Sequence, residues 1–125
     1  MGSFNVRADR VKNRLYVTFA GFFSDEEARA ACTEVLQHAE KLGTGFDVIT
    51  DITDFQTTTG AGAEVIRNTQ VKLGERGVRR VVRVTGSQVL PNLQLTRTAR
   101  EAGYGPGTKA ETAATVDDAE RLLEG

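Results

Sequence analysis

The side chains with the strongest intrinsic chemistry are one cysteine, Cys32, and one histidine, His38. Six positions apart on one helix, they project about 240° apart around its axis, so they cannot form a thiolate–imidazole pair. Cys32 falls in an apolar stripe and reads as a small core residue. His38 lies at the edge of that stripe and reads as a surface side chain. No Cys/His set has metal-ligand spacing, and no cofactor is implied. The "GAG" at Gly60 to Gly62 lacks the third glycine of a dinucleotide fingerprint.

Two acids, Asp51 and Asp54, sit near the end of a strand signal. Ligands of open α/β sheets bind at such ends. The plainer reading is that both accept backbone N–H groups in the next loop. A phosphoacceptor receiver would also need acids after the first strand and a lysine after the last, and the chain supplies neither. Thr57, Thr58 and Thr59 directly precede Gly60. They read as caps of the next helix. Their hydroxyls also sit where a helix N-terminus favours a phosphate.

Basic residues recur late: Arg67, Lys72, Arg76, Arg79, Arg80, Arg83, Arg97 and Arg100. No aromatic residues interleave with them, so base stacking has no support. Most read as solvated faces. Arg79, Arg80 and Arg83 are the candidates for a local anion or partner surface.

The 125 residues suit one domain spanning the chain. With 39% hydrophobic and 26% charged residues the composition is globular, and a net charge of -1 gives no bulk attraction to nucleic acid or anionic lipid. The single cysteine suits a reducing compartment. The N-terminus lacks an apolar signal region, and no apolar run reaches the roughly 20 residues of a membrane span. A cytoplasmic, non-enzymatic protein is expected, because no acid–base or nucleophile constellation can be assembled.

Strand and helix signals alternate. Phe4 to Asp9 and Arg14 to Ala20 read as strands joined by a tight turn at Lys12-Asn13, hence antiparallel. Ser24 and Glu27 form a capping box, and Ala28, Ala31, Cys32, Val35, Leu36, Ala39 and Leu42 make one apolar stripe ended by Gly43 and Gly45. Phe46 to Ile52 is a buried strand, followed by the polar loop "DFQTTTGAG" and a helix from Ala63 to Leu73. Val78 to Val84 is a strand. "VLPNLQLTRTAREAG" is a third helix, Lys109 to Ala114 a weak fifth strand, and a helix capped by Thr115 closes the chain. The expected fold is α/β, with order β-β-α-β-α-β-α-β-α, a mixed five-stranded sheet and four helices. Phe22, Phe23, Leu90 and Leu93 beside loops suggest a weak homodimer.

The stretches "LYVTFAGFFSDEEA", "GFDVITDITDF", "GVRRVVRV" and "DDAERLLEG", in this element order, resemble the STAS domain, and within it the stage-II-sporulation-protein-AA-like family. The resemblance runs from Phe4 to Leu123. It implies a regulatory module that binds a protein partner, in the antagonists a kinase-like anti-sigma factor. It also implies release when a hydroxyl at the start of the second helix is phosphorylated. The antagonists' Asp-Ser-Ser-Gly matches Thr57-Thr58-Thr59-Gly60 here, so the acceptor position falls on Thr58 and the aspartate is replaced by Thr57. The expectation is that a charge on Thr58 weakens partner binding without unfolding the domain. The fold also resembles lipid-binding domains of the Sec14 kind, which implies the alternative of a small-ligand or lipid pocket between helices and sheet.

Overall fold

In a computed structural model, residues 2–86 and 109–124 are described. The expected third helix, with Leu90, Leu93, Arg97 and Arg100, lies outside them. The described elements are β1 (Ser3–Asp9), β2 (Arg14–Phe23), α1 (Asp25–Ala39), β3 (Asp47–Thr58), α2 (Gly60–Glu75), β4 (Arg80–Val84), β5 (Lys109–Ala113) and α3 (Val116–Glu124). The five strands form one sheet in the order β1-β2-β3-β4-β5. The edge pair β1–β2 is antiparallel, and the rest of the sheet is parallel. This is the expected mixed sheet, with three helices among the described residues.

The β1–β2 connection is longer than a tight turn. Asp9 pairs with Arg14, leaving residues 10 to 13 as the loop. The Asp9 carboxylate accepts from the Val11 and Lys12 backbone N–H groups at 3.0 and 3.1 Å. Asn13 takes a left-handed φ of 55°, which asparagine tolerates better than most residues. Its amide exchanges two hydrogen bonds with the Gly43 backbone, 2.8 and 3.1 Å long, and so ties the hairpin to the α1–β3 connection.

Both capping-box bonds form. Ser24 Oγ accepts from the Glu27 N–H at 3.2 Å, and Glu27 accepts from the Ser24 N–H at 2.9 Å. Glu27 also accepts from the Gly2 N–H at 2.9 Å. These backbone bonds, first that from Ser24, lower the Glu27 pKa. The helix ends at Ala39, a turn before the glycines expected to stop it.

Alternation along the strands sorts side chains to two faces. Leu15, Val17, Phe19, Val48, Ile52 and Val81 pack against α1 and α2. Ile49, Val82, Val84 and Ala113 pack against Ala119 and Leu123 of α3. Near the start of α1 the rings of Phe4, Phe19, Phe23 and Phe55 form an edge-on cluster, with Phe19 and Phe23 centroids 5.0 Å apart and Phe23 and Phe55 5.3 Å apart.

The main departure from the sequence reading is β3. It runs to Thr58, through most of the segment expected to be a polar loop. Two register shifts against β2, between Thr18 and Ala20 and between Gly21 and Phe22, each add a residue on β3. Such bulges bend and re-aim a strand, and here the first of them puts Phe55 on the core face.

Candidate functional site

Strands β2 and β3 end side by side, and each hands the chain to a helix. Phe22 pairs with Thr57, and Phe23 with Thr58. Thr59 is the N-cap of α2, its hydroxyl accepting from the Gly62 N–H at 2.9 Å. The same hydroxyl donates to the Asp25 carboxylate at the start of α1, so the two helix N-termini are joined. That carboxylate already supplies the negative charge an N-terminus favours.

Thr58 and Thr59 are half-buried, whereas Thr57 and Gly60 are exposed. Thr57 and Thr58 are thus strand residues, and Thr59 alone is the cap. The Thr58 hydroxyl points inward and donates to the Phe23 carbonyl at 3.0 Å. Gly62 packs directly under it, and a Cβ on Gly62 would land on the Thr58 hydroxyl. A phosphoryl group or a carboxylate on Thr58 must therefore break the Phe23 bond and displace the α2 start. On the rim, Phe22 is 41% exposed beside exposed Gln56, Thr57 and Gly60. The sequence reading noted Phe22 only as uncovered apolar surface. Its strand pairing with Thr57 depends on the β3 bulges.

The acids part company. Asp51 Oδ1 accepts from the Thr53 N–H and hydroxyl at 3.0 and 2.7 Å, a turn-like role inside the strand. Asp54 is exposed.

The expected arginine surface does not assemble. Arg79 holds the buried Asp47 carboxylate through two bonds of 3.1 and 2.9 Å. Arg80 grips Glu111 across β4 and β5. Arg83 is only 3% exposed, within the core. Partners far along the chain recruit Arg79 and Arg80, which local charge counting cannot foresee.

His38 Nδ1 lies 2.9 Å from the Glu34 carbonyl of its own helix. Cys32 is buried, and burial pushes its thiol pKa up, with the Thr69 hydroxyl opposing. A thiol in that state is a poor nucleophile. Among the described residues no three His, Cys, Asp or Glu side chains are grouped as a metal site requires, and no helix is long and apolar enough to cross a membrane.

A cavity of about 50 Å³ lies between α1, α2 and the sheet. Among the described residues Val17, Val35, Val48, Ile66 and Val81 form aliphatic walls, and Cys32, Thr50, Thr69, Gln70 and Arg83 also line it. The Thr69 hydroxyl is spent on the Val65 carbonyl at 2.8 Å. Gln70 Oε1 is buried without a hydrogen-bond partner. Pockets for drug-sized ligands span roughly 300–1,000 Å³, so this volume does not house a lipid chain.

No known family profile matches the chain, and no curated protein matches it. Among solved structures it is similar to an uncharacterised protein of the DUF3478 family with a SpoIIAA-like fold from Shewanella loihica PV-4. The sequence identity is 20% and the TM-score 0.71, over 98% of this chain and 95% of that one. The chain therefore has the SpoIIAA-like α/β fold that its sequence pattern resembles.

Proposed function

We propose that the protein is a regulatory protein-binding module rather than an enzyme, and that its partner docks where β2 and β3 end. The observation that carries this is Phe22, an aromatic ring left 41% exposed beside Thr57 and the start of α2. Exposed aromatics rimmed by small polar groups make good interface anchors, because burying the ring yields energy and the rim supplies hydrogen bonds. The SpoIIAA-like fold and the resemblance to antagonists favour a partner of the kinase-like anti-sigma type. On this reading, phosphorylation at Thr58 is coupled to opening of the strand end, because its hydroxyl must first leave the Phe23 carbonyl.

The test is capture from a native-host lysate with three proteins: wild type, Phe22→Glu and Val11→Glu. Val11 is 97% exposed in the β1–β2 loop and serves as a control for added surface charge. The expected result is an ATP-binding, kinase-like protein retained by wild type and Val11→Glu and lost with Phe22→Glu, at unchanged melting temperature. Identical capture by both variants overturns the proposed surface.

A further inference from the structure

We propose that the outer edge of β1 is a self-association surface, distinct from the docking surface at Phe22. A second copy of this chain adds its own β1 antiparallel there and joins the two sheets into one. β1 is the outermost strand, and among the described residues nothing pairs with its far side. An unpaired edge invites strand addition, and natural proteins guard such edges with lysine, proline or a bulge. Ser3–Asp9 has none of these: it reads SFNVRAD, and its register against β2 runs without a shift. Its two charged side chains are engaged away from the edge. Arg7 lies over the Tyr16 ring of β2, and the Asp9 carboxylate accepts from the Val11 and Lys12 N–H groups of the loop.

The strand is also complementary to itself. Two-fold symmetry makes one residue of the seam face its own copy, and centring on Val6 is the register that pairs all of Ser3–Asp9. Val6 then meets the second copy's Val6, and Phe4 meets the second copy's Ala8. These three side chains lie on the face that packs against α1 and α2, with Val6 buried and the other two half-buried. On the opposite face Asn5 meets the second copy's Arg7, and Ser3 meets the second copy's Asp9. Ser3, Asn5 and Arg7 are exposed. The seam therefore prolongs the apolar core on one face and the polar surface on the other, as favourable cross-strand pairs require. The two Arg7 side chains fall diagonally across the seam, but each leans over its own Tyr16, away from it. A second copy meets both faces by symmetry, whereas an unrelated strand meets them only by chance. Pairing β1 with β1 also consumes both edges, so assembly through this seam stops at a dimer.

The experiment is sedimentation equilibrium of the full chain at low salt, from about 1 µM to about 1 mM, the range in which so small a seam associates. Wild type is compared with Asn5→Lys, Asn5→Glu and Asn68→Lys. Asn68 is exposed on α2 and controls for added charge. The expected result is a reversible monomer–dimer equilibrium with no larger species. Asn5→Lys sets a like charge opposite Arg7 twice in each dimer and should raise the dissociation constant about tenfold. Asn5→Glu sets an opposite charge there and should lower it by a similar factor, while Asn68→Lys should leave it unchanged. Hydrogen exchange in β1 of the wild type should slow as concentration rises. The proposal is overturned by a monomer across the whole range or by open-ended polymers. It is equally overturned if the two Asn5 variants shift the constant in the same direction or not at all, since the copies then meet elsewhere.

Discussion

The Tyr16 hydroxyl donates to the Glu120 carboxylate at 2.6 Å, joining β2 to α3 across 104 residues of chain. Arg14 bonds the same oxygen at 2.8 Å, and Lys12 bonds the other at 3.0 Å. Arg7 lies over the Tyr16 ring, 3.8 Å from its centroid. One half-buried carboxylate thus collects three donors and clamps α3 to the sheet.

This clamp predicts an acid-sensitive step. Partial burial pushes the Glu120 pKa up, but the bonds from Tyr16, Lys12 and Arg14 outweigh it and hold the group at about 2, against 4.5 for a free glutamate. A depressed folded pKa contributes stability above the unfolded value, and that stability is lost as pH falls through the folded value. The loss should fall between pH 4.5 and about 2. Glu120→Gln should remove about 1–2 kcal/mol at neutral pH, a charge-assisted bond discounted for solvent screening. It should also flatten the melting-temperature profile across that window, as scanning calorimetry from pH 2 to 6 would reveal.

Cys32 yields a second expectation. It is 4% exposed, and burial disfavours its thiolate. Labelling by a thiol reagent should therefore follow the opening of the α1–α2 core rather than collision with the native surface. In the folded protein the rate should lie orders of magnitude below that of a free thiol, and it should rise with denaturant in step with unfolding. Fast labelling under native conditions would contradict the burial.

The helix starts were the most legible parts of the sequence. Ser24, Glu27 and Thr115 act over three residues, and their bonds form as local spacing dictates. The parallel core strands were legible through their apolar runs. The end of β3 was not, because a bulge between Asp51 and Asp54 breaks the alternation and puts Phe55, not Asp54, on the core face with Ile52. A polar run such as Gln56-Thr57-Thr58 then imitates a loop. The arginines were illegible for a different reason. Asp47 and Glu111 lie 32 and 31 residues from Arg79 and Arg80, and only the sheet brings them together. The same holds for the cavity: Gln70 and Arg83 come from α2 and β4, and no short motif contains both.

Gly62 gives a third prediction. The position is buried, with Ala28 of α1 on one side and Thr58 on the other. A methyl group there would meet the Thr58 hydroxyl and crowd Ala28 Cβ at 3.2 Å. Gly62→Ala should destabilise by about 1–3 kcal/mol, since overpacking outweighs the usual helical preference for alanine. Thr58→Ala should relieve part of that clash, so the double variant should lose less than the sum of the single ones. Chemical denaturation of the four proteins measures the coupling, and strict additivity would show that the two side chains do not share the space.

The last prediction separates two neighbouring threonines. Thr58 donates to the Phe23 carbonyl and rests on Gly62, while Thr57 is exposed. Thr58→Glu must leave the Phe23 carbonyl without its donor and force a larger, charged side chain out through the strand end. Losing that bond costs about 1 kcal/mol, and the displaced packing adds about 1–2 kcal/mol more. Thr57→Glu disturbs neither and should be neutral within about 0.5 kcal/mol. A charged Thr58 therefore acts on the fold itself, contrary to the expectation that it would act on a partner surface alone. Both variants add one negative charge to the same edge, so any difference between them isolates the inward hydroxyl. Thermal melts should show a lowered transition for Thr58→Glu alone, and hydrogen exchange should show faster opening confined to the β3–α2 junction. Equal melting temperatures for the two variants would mean that the Thr58 side chain can turn outward without cost, and the expected link between a charge at this position and opening of the strand end would fail.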